Sequence, residues 1–342
     1  MTGTLLSAGI GAMERGWMPD PVVRWGIRRL CAQRLAESSR GPAANEFAAR
    51  MSQSEVAPVP ARANEQHYEL PPDFFGLVLG AHRKYSCCYW PEGCQSLDEA
   101  ETHALEATCE RAGIADGQEI LELGCGWGSL SLWMALRYPG SRVTAVSNSA
   151  PQRRYIEGEA DRRGIRNLAV ITADMNRFEP PGRYDRVVSV EMFEHMRNYP
   201  ELLRRIAAWT NPGASLFIHV FCHKSYAYEF LAEGEDNWLG RYFFTGGIMP
   251  SEDLLPRFQS DFALRRQWRW DGTHYQRTAN AWLDNQDRRR AEAMRILERA
   301  YGPEEAARWF QRWRVFFMSC AELWGYARGS EWFVAHYLFE RR

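Results

Sequence analysis

Short apolar runs alternate with segments of helical spacing through the middle of this chain. The runs are typical of strands buried on both faces of a sheet. They lie at residues 120–123, 141–146, 168–173, 184–190 and 214–221. Because strands that alternate with helices are joined by crossover connections, the pattern predicts an α/β fold with a parallel, doubly wound sheet.

The N-terminal part of the chain has a different pattern. Residues 22–35 place apolar side chains on one helical face and arginines elsewhere, which predicts an amphipathic helix. We expect this helix to pack against the main domain, with contact to a membrane surface as the alternative. Residues 37–64 are rich in Ser, Ala, Pro and Glu and predict a loosely ordered connector. We therefore divide the chain into an N-terminal helical region with its connector, residues 1–66, and a main domain, residues 67–342.

The pattern changes again after the fifth strand. Helical spacing covers residues 277–300 and 303–326, and strand-like runs lie at 262–270 and 332–339. We interpret residues 224–330, approximately, as a helical insertion. It would cover the carboxyl edge of the sheet and form the substrate pocket, before the chain returns to the sheet in a closing strand.

The first predicted strand runs directly into a glycine-rich turn. Gly124, Gly126 and Gly128 follow it, and a helix is predicted next. Strand, glycine turn and helix form the first half of a nucleotide-binding unit, in which glycine lets the backbone turn sharply and approach a ligand. The spacing is G-x-G-x-G, and the second strand ends in Ser147-Asn148 instead of the acidic residue that binds a nicotinamide ribose. Both features favour S-adenosylmethionine (SAM) over NAD; a glycine turn without a cofactor is the alternative.

Polar side chains follow the ends of the second and third strands. Ligands bind beyond the carboxyl ends of strands in open α/β sheets. Ser147, Asn148 and Gln152 are suited to hydrogen bonds with a ribose. Asp174 is an acceptor suited to an adenine amino group, and Met175 offers an apolar surface to the ring.

Two carboxylates and an imidazole follow the fourth strand: Glu191, Glu194 and His195. Carboxylates at a ligand-facing edge can hold a cationic amine, and a histidine can accept a proton near neutral pH. The alternative is structural, because acidic residues also favour the first turn of a helix.

Composition excludes several other classes of protein. Hydrophobic residues make up 45% of the 342, and a net charge of −1 gives no general attraction to nucleic acid or to anionic membranes. No apolar run approaches the roughly 20 residues of a membrane span. The eight cysteines form no C-x-x-C pair, which favours reduced thiols in a cytoplasmic protein. His219 and His223 lie on a strand and at its exit, where residues four apart are not stacked, so we expect no metal site.

Several longer segments carry a family resemblance. They are LELGCGWG at 121–128, YSCCYW at 85–90, VEMFEHM at 190–196 and WGYARGSEW at 324–332. The chain resembles the cyclopropane fatty acid synthase superfamily of SAM-dependent methyltransferases, and within it the coclaurine N-methyltransferase branch. The resemblance implies a class I SAM-dependent methyltransferase fold and methyl transfer to the nitrogen of a small aromatic amine of the benzylisoquinoline or tetrahydroisoquinoline kind. From the near-neutral charge we expect no nucleic-acid partner, and a homodimer is left open.

The resemblance also implies roles for individual residues. It adds Tyr85 and Ser86 to the SAM contacts given above, which include Gly124 and Gly126. It implies an amine site at Glu191, Glu194 and His195. Our leading hypothesis for the mechanism is that His195 takes the proton of the amine, Glu194 orients or assists the imidazole, and Glu191 holds the amine. Independently of the resemblance, Phe316, Trp324 and Tyr326 on or near the last long helix are candidate substrate contacts, with core packing as the alternative. Residues 245–250, TGGIMP, depart from the Pro-Ala-Gly type turn of the amine enzymes, in a segment that we expect to shape the pocket.

A second activity stays open at this point. The lipid-modifying members of the superfamily bind a bicarbonate ion through a Cys, a Glu, a His and a Tyr. The matching residues here are Cys87, Glu194, His219 and Tyr275. The alternative function is therefore a cyclopropane-fatty-acyl-phospholipid synthase or a related lipid C-methyltransferase. A third hypothesis is that the protein is a SAM-binding module without catalytic activity.

Overall fold

The computed structural model describes residues 2–41, 44–58, 71–230 and 237–342. The predicted boundary between residues 66 and 67 lies outside the described residues. The strands are β1 Glu119–Leu123, β2 Arg142–Ser147, β3 Leu168–Thr172, β4 Tyr184–Val190, β5 Thr210–His223, β6 Tyr228–Glu229, β7 Ile248–Met249, β8 Phe262–Trp270 and β9 Trp332–Arg341.

One mixed sheet forms the centre of the molecule. Within the described residues it has seven strands in the order β3-β2-β1-β4-β5-β9-β8, while β6 and β7 pair separately. β1 to β5 are parallel, and β9 runs antiparallel to both β5 and β8. The parallel, doubly wound part is confirmed. Chain order reverses between β1 and β4, and this switch point is where ligands bind in such sheets.

Helices precede the sheet in the chain and connect most of its strands. They are α1 Thr2–Glu14, α2 Asp20–Ser38, α3 Ala44–Met51, α4 Pro72–Val78, α5 Leu97–Ala112, α6 Ser129–Arg137, α7 Ala150–Arg162, α8 Tyr199–Trp209, α9 Trp238–Tyr242, α10 Gly272–Arg288, α11 Arg290–Tyr301 and α12 Pro303–Trp324. The helix predicted at 277–300 is two helices, because Arg289 between them leaves the helical region with φ −105° and ψ 31°. Asp271 caps the start of α10 by accepting the Thr273 N–H, which sets the helix start five residues earlier than predicted.

The C-terminal part is not helical throughout. The strand predicted at 262–270 is confirmed as β8, which joins the edge of the main sheet beside β9. The stretch predicted as a helical insertion therefore contains a strand of the main sheet in addition to α10 to α12. In the part of the chain that the structure describes, no helix is long and apolar enough to cross a membrane.

The N-terminal helix α2 packs against α12 through partly buried ion pairs. Glu322 binds Arg24 and Arg28, with N–O distances of 2.8 and 2.6 Å. Arg314 binds Asp20 at 2.6 Å. The predicted packing of the amphipathic helix against the main domain is confirmed.

The prediction of a loosely ordered connector is wrong for residues 44–51. Phe47, Ala48 and Met51 are buried there along one face of α3. Spacings of three and four residues place these side chains on one stripe, and their burial stabilises a helix too short to persist alone.

Candidate active site

The turn after β1 requires glycine at two positions. Gly124 and Gly128 have φ angles of +81° and +78°, a region that L side chains rarely adopt. A Cβ on Gly124 would lie 2.8 Å from the Cβ of Met192, and one on Gly128 would lie 2.6 Å from Cγ1 of Ile156. The turn therefore brings β1, the end of β4 and α7 together around one cavity.

Two adjoining cavities lie at this edge of the sheet, with about 760 and 570 Å³ of empty space. Gly124, Gly126 and Glu191 line both, and we refer to the two adjoining cavities together as the groove. Of the predicted cofactor residues, the first cavity is lined by Gly124, Gly126, Ser147, Asn148, Gln152 and Met175, and the second by Tyr85, Ser86 and the two glycines.

Asp174 is placed differently from the other predicted cofactor residues. It lines an open neighbouring groove together with Asn176 and Arg205. One oxygen of its carboxylate accepts the Asn176 N–H at 2.9 Å. Met175 lines the first cavity, so Asp174 lies at the rim beyond it.

The groove fits a nucleoside ligand. Gln152 is buried, and its Oε1 accepts a hydrogen bond from Ser147 Oγ at 2.6 Å. Its Nε2 is buried without a hydrogen-bond partner among the described residues. A buried donor left unpaired costs about 1–3 kcal/mol, and a ligand hydroxyl in the cavity would satisfy it. A Cβ on Gly126 would meet nothing within 4 Å, so the backbone there is open to a ligand.

Glu101 on α5 holds the loop that carries Tyr85, Ser86 and Cys87. Its carboxylate is fully buried and accepts the backbone N–H of Gly80 at 2.9 Å and of Lys84 at 3.1 Å. Burial raises the pKa of Glu101 to about 7, and the N–H donors oppose that rise. The buried Lys84 ammonium donates to Ser86 Oγ and, at 2.7 Å, to the Cys87 carbonyl. Glu101 and Lys84 thus fix the loop against the groove.

Glu191 lies where the two cavities meet. Its φ of +50° is unusual for a residue other than glycine and costs about 1–2 kcal/mol. Its carboxylate accepts the Cys87 N–H at 2.9 Å, the His219 Nε2 proton at 3.1 Å and the Tyr275 hydroxyl at 2.8 Å. Burial raises the pKa of Glu191, while Lys84 and the Cys87 and Tyr275 donors lower it. Three donors that converge on one carboxylate favour its charged form.

His195 lines the first cavity at the end of a 3₁₀ turn, Phe193–His195. Its ring lies 4.9 Å from the ring of Phe244. Burial lowers the pKa of His195 to about 4, with Arg197 adding to the effect and Glu191 opposing it. The imidazole is therefore neutral near pH 7, with a free lone pair, and the Glu191 carboxylate is the group that opposes the loss of basicity caused by burial.

Glu194 does not share this cavity. It is fully buried, and its Oε1 accepts the backbone N–H of Phe221 on β5 at 2.9 Å. Its Oε2 is buried without a hydrogen-bond partner among the described residues. Burial, followed by the neighbouring Glu191, raises the pKa of Glu194. The prediction that its carboxylate orients the imidazole is corrected: Glu194 ties the 3₁₀ turn to β5, and so positions His195 through the backbone.

The four residues matched to a bicarbonate site are only partly brought together. Cys87, His219 and Tyr275 do converge, but on the carboxylate of Glu191 and not around Glu194. The predicted quartet is corrected accordingly. The donors that would hold a small anion already bind a carboxylate of the protein, and a second anion beside it would be repelled.

The predicted substrate residues fall in different surroundings. Trp324 stacks on Tyr275 with ring centroids 4.8 Å apart and planes 3° apart. Tyr275 also donates to Glu191, so the ring of Tyr275 lies between Trp324 and that carboxylate. Phe316 stacks on Phe243 at 4.4 Å, and Tyr326 packs edge-on against Trp332 at 5.5 Å. These contacts favour core packing for Phe316 and Tyr326.

Sequence reasoning missed several residues of the groove. Lys84 could have been noticed in the sequence, because the chain has only two lysines, Lys84 and Lys224, among its 42 basic residues. Nothing in the sequence pointed to Ala57. It lines the first cavity because two contacts hold its segment there: the Val56 carbonyl accepts the Arg197 N–H at 2.9 Å, and the Asn176 side chain binds the Ala57 backbone. Gly246 lines the first cavity, so the segment 245–250 does border the groove.

Within the described residues, no group of three or more His, Cys, Asp or Glu side chains could hold a metal ion. All eight cysteines are free thiols.

Comparison with known proteins agrees with this arrangement. Residues 58–327 match the family model described as mycolic acid cyclopropane synthetase. The chain belongs to that family. Among its relatives, (S)-coclaurine N-methyltransferase of Thalictrum flavum subsp. glaucum is 36% identical over 340 residues, or 96% of this chain and 94% of the relative. Pavine N-methyltransferase of the same plant is 33% identical, over 96% of this chain and 92% of the relative.

Solved structures of the family confirm the predicted class I methyltransferase fold. A coclaurine N-methyltransferase bound to N-methylheliamine and SAH aligns with a TM-score of 0.90 and 35% identity, covering 99% of this chain and 100% of that one. The mycolic acid cyclopropane synthase CmaA1, complexed with SAH and CTAB, aligns with a TM-score of 0.68 at 20% identity, covering 82% of this chain and 99% of that one.

Proposed function

We propose that this family member is a SAM-dependent N-methyltransferase acting on a small aromatic amine of the benzylisoquinoline or tetrahydroisoquinoline kind. The observation that carries the proposal is the Glu191 carboxylate at the junction of the two cavities, with neutral His195 lining the same groove. The relatives named coclaurine and pavine N-methyltransferases, which align over nearly the whole chain, support the amine as acceptor.

SAM, when bound, supplies a methyl group on a positively charged sulfur. The glycine turn and Gln152 would hold its nucleoside part, and the loop at Tyr85 and Ser86 would hold the remainder. Glu191 attracts a cationic amine from solution and keeps its nitrogen at the junction of the cavities. Holding two reactants in line in this way contributes much of the rate of such a transfer.

An amine nitrogen attacks only when its lone pair is not protonated. His195 is neutral near pH 7 because burial lowers its pKa to about 4. A neutral imidazole nitrogen can take the proton that the amine gives up, and the nearby Glu191 carboxylate stabilises the imidazolium that results. Phe244, whose ring lies 4.9 Å from that of His195, and Trp324, which stacks on Tyr275, are the aromatic side chains that we expect to contact the rings of the substrate.

Cyclopropanation of a lipid is less well supported than amine methylation. Glu191 already uses the donors of Cys87, His219 and Tyr275, so the bicarbonate base of that reaction has no set of donors here. The cyclopropane-fatty-acyl-phospholipid synthase of Escherichia coli strain K12 is 28% identical over only 64% of this chain.

Incubation with methyl-labelled SAM tests the proposal. We expect label on the nitrogen of tetrahydroisoquinolines, identified by mass analysis of the product, at a rate that is the same in bicarbonate-free and bicarbonate-supplemented buffer. Vesicles of unsaturated phospholipid serve as the competing panel. Label in a cyclopropane ring, or turnover that depends on bicarbonate, would show that the lipid reaction is the correct one.

A further inference from the structure

A line of hydrogen-bonded side chains crosses the sheet and ends at Glu191. His219 on β5 and His336 on β9 are register partners, and both are fully buried. His219 Nε2 lies 3.1 Å from Glu191 Oε1, and His336 Nε2 lies 2.9 Å from His219 Nδ1. At the far end, Arg111 Nη1 lies 2.6 Å from His336 Nδ1.

The chemistry of arginine fixes the direction of every bond in this line. A guanidinium has donors only, so Nδ1 of His336 must accept. A neutral His336 then carries its proton on Nε2 and donates it to Nδ1 of His219. His219 in turn carries its proton on Nε2 and donates it to the carboxylate of Glu191. The tautomers of both histidines therefore follow from the presence of one arginine.

The surroundings keep this line intact. Arg111 lies on α5, over the rings of Trp268 and Trp270, with its guanidinium 5.3 Å from each ring centroid. Burial lowers the pKa of both His219 and His336 well below the usual range, and the nearby cations Arg111 and Lys84 add to that effect. Both imidazoles are therefore neutral in the folded protein.

We propose that Arg111 is a positioning residue for the active site, which acts through the tautomers of His336 and His219 to hold Glu191 as a carboxylate that only accepts hydrogen bonds. Arg111 lines neither cavity, so it cannot act by contact with a bound ligand there. Without it, His219 could turn its unprotonated nitrogen towards Glu191, and a protonated Glu191 could donate to that nitrogen. The neutral acid would then become easier to form.

Other groups around Glu191 set the background against which this effect is measured. The titratable or charged residues that face it from the elements packed around it are Lys84 and Cys87 in the loop, Glu194 and His195 after β4, His219 on β5, Tyr275 on α10 and Cys320 on α12. Replacing Arg111 alters none of these side chains directly, and among them only the tautomer of His219 is expected to change, so a shift in the titration of Glu191 that accompanies this change reports the line of histidines.

Nitrogen-15 spectra of histidine-labelled protein test the proposal without any substrate. We expect His336 and His219 to show the tautomer protonated at Nε2 in the wild type. Arg111→Met keeps an unbranched side chain against the tryptophans and removes the donors, so the tautomers of His336 and His219 should become mixed. Arg111→Lys keeps a group that can only donate and should retain the wild-type tautomers.

Activity provides the second readout, which rests on the proposed amine methylation. In Arg111→Met we expect the acid limb of kcat to move up by about one pH unit, because Glu191 loses a donor that favours its charged form. Arg111→Lys should restore most of the profile. Arg137→Met is the matched control, since Arg137 also lies over a tryptophan, Trp133, but on an exposed helix surface.

The two readouts separate the possible failures. Tautomers unchanged in Arg111→Met, or a shift of equal size in Arg137→Met, would overturn the role of Arg111. Tautomers that mix as expected, in a protein that methylates no amine, would leave the role of Arg111 standing and refute the proposed function.

Discussion

Replacing His195 by alanine lowers kcat for amine methylation by about 10²- to 10⁴-fold, the range typical of a lost general base. His195 lines the groove and is neutral near pH 7, since burial lowers its pKa to about 4. His195 lines the same cavity as Gln152 and the glycine turn, but the groups assigned to bind the nucleoside lie on those residues, so SAM affinity should stay within a few fold. Steady-state kinetics with a tetrahydroisoquinoline, and calorimetric titration with SAM, measure the two quantities.

Added imidazole gives a second test of the role of His195. Truncation of His195 leaves a space beside Phe244 and the cavity, which free imidazole can enter. We expect imidazole to raise the rate of the alanine variant and to leave the wild type unchanged. A variant that turns over amine at the wild-type rate would remove His195 from the mechanism.

Replacing Glu191 by glutamine lowers kcat by roughly 10²- to 10³-fold, comparable to the loss of one preorganised electrostatic group. The substitution is nearly isosteric. The amide oxygen can accept from Cys87 and His219, and the amide nitrogen can donate to the Tyr275 hydroxyl, so the three hydrogen bonds around it are kept. Only the charge is removed, and KM for the amine should rise as well. Thermal unfolding should show no loss of stability, because a buried charge is relieved.

Glu322→Gln is the matched control for that variant. Glu322 is also buried, but its partners are Arg24 and Arg28 at the α2–α12 contact. This control should lower the melting temperature and leave kcat unchanged. Equal losses of activity in the two variants would mean that the effect of Glu191→Gln is one of folding and not of charge at the site.

The sequence predicted the part of the fold that depends on local patterns. Buried strands that alternate with helices, and a glycine turn directly after β1, are visible as runs and spacings. The strand ends at Ser147, Met175 and Glu191 then follow from a general rule about open sheets, and all three line the groove. The short helix α3 was missed because its stability comes from burial of Phe47 and Met51, which only the tertiary structure decides.

The chemistry within the site could be predicted only in part. Glu191 and Glu194 are three residues apart, and nothing in their spacing says which one reaches the cavity. The answer depends on the positive φ of Glu191 and on the Phe221 N–H that binds Glu194. The line from Arg111 to Glu191 joins residues from α5, β9, β5 and the end of β4, which are distant in the chain. Such a line becomes visible only once strand order and register are known.

The central claim is that the amine nitrogen is held at Glu191 and His195, facing the sulfur of the cofactor. A crystal structure of the protein with SAH and a tetrahydroisoquinoline tests it most directly. The account predicts the amine nitrogen within about 2.6–3.2 Å of a Glu191 oxygen or a His195 nitrogen, the reach of a hydrogen bond. An amine bound elsewhere, with both side chains turned away from it and from the sulfur, would contradict the account.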